Sequence, residues 1–385
     1  VSEERHNPVS FRNRATVARG AATKSTGHAI SCARHLFGLT LLVAGTLLLT
    51  SAAQAGTGDA SFKEGVKAQW NWELDKAIQL YTKALSADPG LARAYFNRGV
   101  AFRSKGDQDR ALADFSRAVA KDPKMVNALY GRALIYLHKK QYDKALADIT
   151  MVVQLDARHA GAYAAKAEAE LALGDLATAE QDLDRAAKAD PKDSSVYALR
   201  ASLYQKRGDT QKALADLNKA LSADPDNAAA RLKRANILFG QQNIRQAITD
   251  YDEAIRLDPD NAVAYNNRGW AKAAVQDYAS ALSDLNKCLE LDPQLTMALS
   301  NRATVYVKMN RNDDALADYN RLITLKPSDP GLYAARGQIL LAADRASDAL
   351  KDFDRALELD PQMLRVREMR GDAFLEMQQY KEAVA

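Results

Sequence analysis

The sequence predicts an all-α solenoid in which antiparallel pairs of helices are stacked along most of the 385 residues. Three regularities support this fold class. Prolines recur on a 34-residue grid, a small residue recurs on the same grid, and the slot twelve residues after that small residue is always alanine. A fixed period of this length indicates a repeat array, because each unit buries its apolar face only against its neighbours.

Residues 1–55, which precede the repeats, are predicted to be a targeting segment. Residues 36–50 form an uncharged apolar run, with a basic, acid-poor flank before it and a small-x-small sequence ending at Ala55 after it. This arrangement is typical of a secretory signal peptide that is cleaved before Gly56. The repeats are therefore expected to be exported, with the bacterial periplasm as their destination.

An uncleaved membrane anchor formed by residues 36–55 is the alternative. No charged residue lies between His35 and Asp59, and that interval is long enough to span a bilayer. Both alternatives place the repeats on the far side of the membrane, because a basic flank stays inside. A mitochondrial presequence agrees with the arginine-rich flank but not with the long apolar run. A membrane is expected to be involved only through this segment, and only if it is uncleaved.

The repeats themselves follow without an insertion. Nine full units and a partial tenth are predicted at residues 58–91, 92–125, 126–159, 160–193, 194–227, 228–261, 262–295, 296–329, 330–363 and 364–385. In each unit, a polar break such as Gly106-Asp107 separates two amphipathic helices. The grid proline ends the second helix, because proline disfavours helical geometry in the residue before it.

The two small slots of a repeat, such as Gly99 and Ala111, lie on either side of the break. An antiparallel hairpin brings them face to face, so that the two helices approach closely. A leucine in either slot would overpack this contact at a cost of about 1–3 kcal/mol. The small slots therefore predict tightly packed hairpins.

This pattern resembles the tetratricopeptide repeat family over residues 58–385. The sequence departs from the family in the first helix, where tyrosines such as Tyr95 and Tyr163 replace a frequent tryptophan and a basic residue replaces a leucine. The resemblance implies a right-handed superhelix whose first helices line a concave groove. It also implies that this groove takes an extended peptide or a helix of a partner protein.

Slots four residues apart in each first helix share one face and define the candidate groove. The N-terminal end is aromatic and aliphatic, with Phe62, Val66, Trp70, Phe96, Val100, Tyr130 and Leu134. Beyond this end the face is more polar and includes Asn236, although Trp270 also lies on it. The amides of Asn267 and Asn301 are expected to bind a peptide backbone. We expect the aromatic end to be the main anchor; the alternative is that Phe62, Val66 and Trp70 only cap the array or contact the leader.

Two charged slots also recur. The basic ladder comprises Arg98, Arg132, Arg200, Arg234, Arg268, Arg302 and Arg336, with Lys166 in the fourth repeat. The acidic ladder comprises Asp114, Asp148, Asp182, Asp216, Asp250, Asp284, Asp318 and Asp352. We expect the ladders to pair within or between neighbouring repeats, each exposed pair contributing about 0.2–1 kcal/mol.

The distribution of charge argues against a nucleic-acid partner. The formal charge of +4 comes from the leader, and residues 56–385 carry equal numbers of basic and acidic residues. A neutral array is a poor ligand for a polyanion. The expected partners are therefore other proteins.

Catalysis is not expected, and neither is a cofactor or a metal. The histidines outside the leader, His138 and His159, form no recognisable metal-binding spacing with the single cysteine there. No phosphate-binding loop or nucleophile elbow occurs. The chaperone-binding clamp of the family is not expected, because the best-placed slots, Leu232, Asn236, Asn267, Met297 and Asn301, provide its amides but not its three cations. Two functions remain, a soluble periplasmic scaffold for protein assembly and a membrane-anchored receptor that captures protein substrates or precursors.

Overall fold

The computed structural model describes residues 57–383, so the predicted leader lies outside the described residues. Over this range the chain contains helices and turns and no strand. The first helices of the repeats are α1 (Thr57–Trp70), α3 (Ala92–Ser104), α5 (Val126–His138), α7 (Ala160–Leu173), α9 (Ser194–Lys206), α11 (Ala228–Gly240), α13 (Ala262–Ala274), α15 (Thr296–Lys308), α17 (Pro330–Leu341) and α19 (Leu364–Glu376). The second helices are α2 (Leu74–Ala87), α4 (Gln108–Lys121), α6 (Tyr142–Leu155), α8 (Leu176–Ala189), α10 (Thr210–Ala223), α12 (Ile244–Leu257), α14 (Tyr278–Leu291), α16 (Asn312–Leu325), α18 (Ala346–Leu359) and α20 (Tyr380–Ala383). The predicted all-α fold of packed helix pairs is confirmed.

The described residues form two compact units that divide after Pro89. The first unit contains the hairpin of α1 and α2, and the second contains α3 to α20. Within the second unit, each helix packs against the next along the chain. Successive first helices also contact one another, as in α11 with α13 and α13 with α15. The first helices therefore form one continuous side of this unit, which we call the first-helix face.

The turn between the two helices of a repeat has a fixed backbone geometry. Gly106, Gly174 and Gly208 adopt positive φ angles at this turn, and most other repeats hold a lysine, glutamine, asparagine or aspartate there in the same left-handed conformation. The aspartate that follows glycine then caps the second helix, as Asp209 accepts a hydrogen bond from the Lys212 amide at 3.1 Å. Left-handed backbone and an N-cap together reverse the chain and start the next helix.

The core of each hairpin is formed by the residues in the two small slots and by a larger residue that follows the second slot. Ala111 and Phe115 are fully buried, and a Cβ added to Gly99 would lie 2.9 Å from the Phe115 ring. The helices thus pack too closely for most side chains at the first slot. This close packing fixes the direction in which the rest of each first helix points.

Candidate peptide-binding face

The first part of the predicted aromatic anchor lies on α1. Phe62 is half-buried and packs on Tyr81 of α2, with the ring centroids 5.8 Å apart. Val66 packs against the same small core, whereas Trp70 is 51% exposed. Phe62 and Val66 therefore contribute to the core of their own hairpin, and Trp70 is the member of this group with most of its surface available.

The second part of the predicted aromatic anchor lies on α3 and α5, in the other unit. Val100 is only 6% exposed, so its placement on an open groove is wrong. Its side chain is enclosed by the packing of α3 within the array. Phe96 packs on Phe115 at 5.8 Å. The seven predicted anchor residues are therefore not one open surface within either unit.

Tyr130 and Leu134 on α5 are both half-buried. The Tyr130 ring lies 4.6 Å from the imidazole of His159, measured between centroids. That imidazole accepts a hydrogen bond from the Ala162 amide at the start of α7, and burial lowers its pKa. Tyr130 thus covers the beginning of the next first helix, and Leu134 packs against the core of the third repeat.

The predicted amides come together as a hydrogen-bonded row on α11, α13 and α15. The Asn267 amide nitrogen donates to Asn236 Oδ1 at 2.9 Å, and the Asn266 nitrogen donates to Asn267 Oδ1 at 2.9 Å. The Asn301 nitrogen donates to Asn266 Oδ1 at 3.0 Å. Tyr251, from α12, donates its hydroxyl to Asn236 Oδ1 at 2.7 Å. We call Asn236, Asn267, Asn266 and Asn301 the amide row.

The amide row has both a fixed base and an accessible side. Asn266 is buried and Asn236 is exposed, while Asn267 and Asn301 are half-buried. Each asparagine amide offers two donor hydrogens and an oxygen that accepts twice, so the bonds within the row leave further capacity on the exposed side. The row can therefore donate to and accept from a peptide backbone without first reorganising.

Apolar side chains flank the amide row on α13 and α15. Trp270 is 37% exposed, and Val263 and Met297 are more exposed than Trp270. A rigid aromatic and flexible aliphatic groups beside fixed polar groups are typical of protein-binding surfaces. The structure thus combines backbone-binding and side-chain-binding groups on one face of the sixth to eighth repeats.

Lys233 is a member of this face that the sequence analysis missed. It occupies the same slot in the sixth repeat as Asn267 and Asn301 do in the seventh and eighth. Its ammonium donates to the Ser202 hydroxyl and to the Ala198 carbonyl of α9. Burial lowers the pKa of this lysine, with no carboxylate acting against the shift. The shared slot was the available signal, but an isolated lysine in a sequence resembles an ordinary surface charge.

The two charged ladders pair within each repeat. Every ladder arginine donates through Nε and Nη2 to both oxygens of the aspartate sixteen residues later, at 2.6 to 3.0 Å. The ladder aspartates are all buried. The expectation of exposed pairs is therefore wrong, because the contact lies between the two helices of a hairpin. These arginines are not available to a ligand.

From the fifth repeat onward, the ladder arginine also contacts the preceding second helix. The remaining guanidinium nitrogen donates to a residue sixteen positions earlier, as Arg302 does to Asn286 at 2.7 Å. The other residues contacted in this way are Asp184, Asn218, Asp252, Asn320 and Asp354. We call these contacts inter-repeat staples. Within the described residues, Arg132 has Ser116 at that place and makes no such bond.

The fourth repeat departs from this arrangement. Lys166 replaces the arginine and contacts both Asp182 and the nearby Glu170, the latter at 3.2 Å. Glu170 is buried, and its Oε2 atom has no hydrogen-bond partner. Burial raises the pKa of this carboxyl, although the Lys166 ammonium acts in the opposite direction. The site is therefore a local electrostatic defect in the array.

None of the helices in residues 57–383 is both long enough and apolar enough to cross a membrane. This finding concerns the repeats only.

Comparison with known proteins agrees with the repeat geometry. Models of the tetratricopeptide repeat match residues 73–126, 105–157, 160–193, 194–237, 262–295 and 300–363, and a further TPR repeat model matches residues 235–276. A search of curated protein sequences finds no match.

Solved structures show the same fold. The crystal structure of the APC/C hetero-tetramer Cut9-Hcn1 aligns with a TM-score of 0.53 and 14% identity, over 88% of this chain and 81% of that one. The structure of pilF from Pseudomonas aeruginosa aligns with a TM-score of 0.50 and 19% identity, over 56% of this chain and all of the other. At these identities the likeness concerns the fold alone. The repeated helix pairs and the matching family models show that this chain belongs to the tetratricopeptide repeat family.

Proposed function

We propose that this protein is a non-catalytic scaffold that binds an extended segment of a partner protein on the first-helix face of the sixth to eighth repeats. Proteins of the tetratricopeptide repeat family are typically interaction scaffolds of this kind. The observation that carries the proposal for this chain is the amide row. Its asparagines are held in place by their own hydrogen bonds and by the Tyr251 hydroxyl.

The amide row supports an extended ligand rather than a helical one. A helix satisfies its backbone N–H and C=O groups internally, whereas an extended segment presents unpaired groups along its length. Asparagine side chains provide both donors and acceptors at successive points along the face. Because the row is fixed in advance, binding does not have to order these side chains, which reduces the entropic cost.

A site-specific crosslink tests the position of the partner. The photoreactive amino acid benzoylphenylalanine would replace Trp270 on α13 in one variant and Lys287 on α14 in a control variant. We expect irradiation in cells to link partner proteins at residue 270, and mass spectrometry to map the link to one segment of the partner. Crosslinks that form at residue 287 but not at residue 270 would contradict the proposed face.

We further propose that the scaffold works outside the cytoplasm, in a cell envelope. The support is the apolar run of residues 36–50 with its basic flank and the small residues that end at Ala55. A receptor that stays anchored through residues 36–55 is the second candidate, because the uncharged interval is long enough to span a bilayer. Mass spectrometry of the protein recovered after expression distinguishes them. A new terminus at Gly56 indicates the soluble scaffold, and an intact leader indicates the receptor.

A further inference from the structure

The first helices of the fifth to ninth repeats carry basic but no acidic residues, as do those of the second and third repeats, whereas the first, fourth and tenth repeats have acidic residues on this helix. Helices α9, α11, α13, α15 and α17 contain no aspartate or glutamate, although each contains at least one lysine or arginine. The acidic residues of these repeats lie on the second helices and in the turns. An array with no net charge thus has one basic side.

Most cations of this basic side are neutralised within the fold. The ladder arginines pair with the buried aspartates, and Lys272 pairs with Asp284 at 2.8 Å. Arg231 lies 3.6 Å from Asp250. Within the described residues, Lys206, Lys233 and Lys308 have no carboxylate within ion-pair distance. These three lysines therefore carry the uncompensated charge of the face.

Lys233 is the best defined of the three. Its ammonium is held against α9 by the Ser202 hydroxyl and the Ala198 carbonyl, which are neutral acceptors. An ammonium taken from water is stabilised by an opposite charge far more than by neutral groups. Lys233 and Asn236 are three residues apart on α11 and so share one side of that helix. A charged group held without a counterion thus lies at one end of the amide row.

The outer two lysines extend the same side. Lys206 and Lys308 occupy the same slot at the ends of α9 and α15. Lys206 donates to the Leu171 carbonyl at the end of α7, and both lysines are exposed. Positive charge is therefore found on the helix before the amide row, on its first helix and on its last helix.

We propose that the segment bound on this face is acidic, with one of its aspartate or glutamate side chains seated on Lys233 and its backbone on the amide row. This inference rests on the proposed function and adds the chemistry of the partner. The bound carboxylate supplies the counterion that the fold lacks at Lys233. Lys206 and Lys308 attract further acidic residues on either side.

A nucleic acid is the less favoured occupant. Strong phosphate binding requires many cations, because each neutralised phosphate contributes separately through released counterions. Three uncompensated lysines are few for this purpose, whereas they match an acidic peptide with carboxylates on flexible side chains. The amide row is also better suited to a peptide backbone than to a sugar–phosphate chain.

Three fluorescent peptides test the inference with the full chain. Each consists of four units, of Glu-Gly-Ser, Gln-Gly-Ser or Lys-Gly-Ser, whose glycine and serine keep the peptide flexible and non-helical in solution. Binding would be measured by fluorescence anisotropy at low and high salt. We expect the glutamate peptide to bind at least about tenfold more tightly than the glutamine peptide, with the difference shrinking at high salt.

Variants locate the carboxylate. Lys233→Met is expected to weaken the glutamate peptide about tenfold or more, because a recessed charge is removed. The pair Lys206→Met and Lys308→Met, both exposed, is expected to weaken it about two- to fivefold and keeps the test valid if Lys233→Met does not fold. The matched control replaces Lys219, Lys287 and Lys351 on second helices by methionine and is expected to bind as wild type does.

Several outcomes would overturn the inference. If the glutamate and glutamine peptides bind equally through the amide row, the scaffold function stands and the acidic partner does not. If the control lysines matter as much as Lys206, Lys233 and Lys308, the attraction is only general. Absence of any peptide binding would also contradict the inference. Displacement of the glutamate peptide by a twelve-nucleotide oligothymidylate that itself depends on Lys233 would indicate a nucleic acid instead.

Discussion

Each ladder arginine contacts a carboxylate that is closed off from water. Arg200 and Asp216 lie between α9 and α10 and are both buried, and their two hydrogen bonds are 2.6 and 3.0 Å long. In such a pair, loss of one partner leaves the other charge in a poorly solvated site. These pairs are therefore needed for the stability of the array, even though a row of basic residues in the sequence resembles a binding surface.

Replacing Arg200 by methionine is expected to lower the free energy of unfolding by about 3 kcal/mol, because Asp216 stays buried without its partner. Urea denaturation monitored by circular dichroism measures this change. Arg355→Met is the control, since Arg355 and its partner Glu358 are both exposed, and its effect should be much smaller. Equal effects of the two substitutions would contradict the role assigned to the buried pair.

Glu170 predicts a pH dependence with a definite sign. Its pKa in the folded state is raised by burial, so folding favours its protonated form. Protonated Glu170 therefore stabilises the fold. This contribution is complete below the pKa that a glutamate has in the unfolded state, about 4.3, and is lost as the pH rises through the pKa of Glu170 in the folded state. The Lys166 ammonium lowers this pKa, whereas the charges of Asp182 and Asp175 raise it.

The variant Glu170→Gln is therefore expected to be more stable than wild type at pH 7, because it removes a buried carboxylate that lacks a partner for Oε2. The advantage should shrink as pH falls towards 4, where the wild-type carboxyl takes up a proton. Thermal unfolding of both proteins at several pH values measures the difference. A wild-type protein that is the more stable of the two at pH 7 would show that the Lys166 contact outweighs burial.

At the scale of the helices, the combination of the first small slot with the residue opposite differs between hairpins. A Cβ added to Gly337 would lie 2.7 Å from the Phe353 ring, whereas the fifth repeat combines Ala201 with the smaller Leu217. A glycine and a ring in one repeat thus replace an alanine and a leucine in another.

Gly337→Ala is expected to destabilise the ninth repeat by about 1 kcal/mol. Overpacking against Phe353 costs about 1–3 kcal/mol, and the better helix propensity of alanine returns about 1 kcal/mol. Thermal unfolding measures the net effect. Gly240→Ala is the control, because no atom lies within 4 Å of its added Cβ, and it should be neutral or stabilising. Adding Phe353→Leu to Gly337→Ala should cost less than the two changes separately.

The helices and their closest contacts were predictable, whereas the geometry of the face was not. The regular spacing of prolines and small residues can be found in the sequence alone, and each of these positions has a local structural reason. Val100 was misplaced because spacing along a single helix does not show which of its side chains the neighbouring elements bury. The bond between Asn267 and Asn236 depends on the rotation of two helices from different repeats. Lys233 was missed for the same reason, since only its contacts with α9 distinguish it.

At the scale of the whole molecule, the staples divide the second unit into two kinds of repeat. Arg302 joins α16 to α14 through Asp318 and Asn286, and similar contacts occur from the fifth repeat onward. The third and fourth repeats have Ser116 and Thr150 at the corresponding places. Repeats that are joined by additional hydrogen bonds unfold locally less readily, because the interfaces between neighbouring repeats contribute to the stability of an array.

Removal of one staple is expected to act locally. Asn286→Ala should increase the rate of amide hydrogen exchange in α14 and α15 about three- to tenfold, which corresponds to the loss of one hydrogen bond of about 0.5–1.5 kcal/mol. Ser116→Ala is the matched control at the same slot, and exchange in α4 and α5 should not change. Uniform changes throughout the array, or none near α14, would contradict the local role of the staples.

The segregation of charge gives this array two different sides. In the fifth to ninth repeats the acidic residues lie on the second helices and in the turns, and the first helices carry the amide row and three uncompensated lysines. The paired arginines and aspartates are assigned to stability, and the amide row and the lysines to binding. Substitutions of exposed residues on the binding side should leave the fold intact, which makes the function directly testable.

The most direct test is the affinity for the partner segment identified by crosslinking at residue 270, measured by calorimetry. A variant with Asn236, Asn267 and Asn301 replaced by alanine would be compared with a control in which Gln154, Gln211 and Gln246 on second helices are replaced, after circular dichroism shows that both are folded. We predict at least a tenfold loss for the first variant, from three hydrogen bonds of about 0.5–1.5 kcal/mol each, and wild-type affinity for the control. Unchanged affinity in the asparagine variant would contradict binding on the first-helix face.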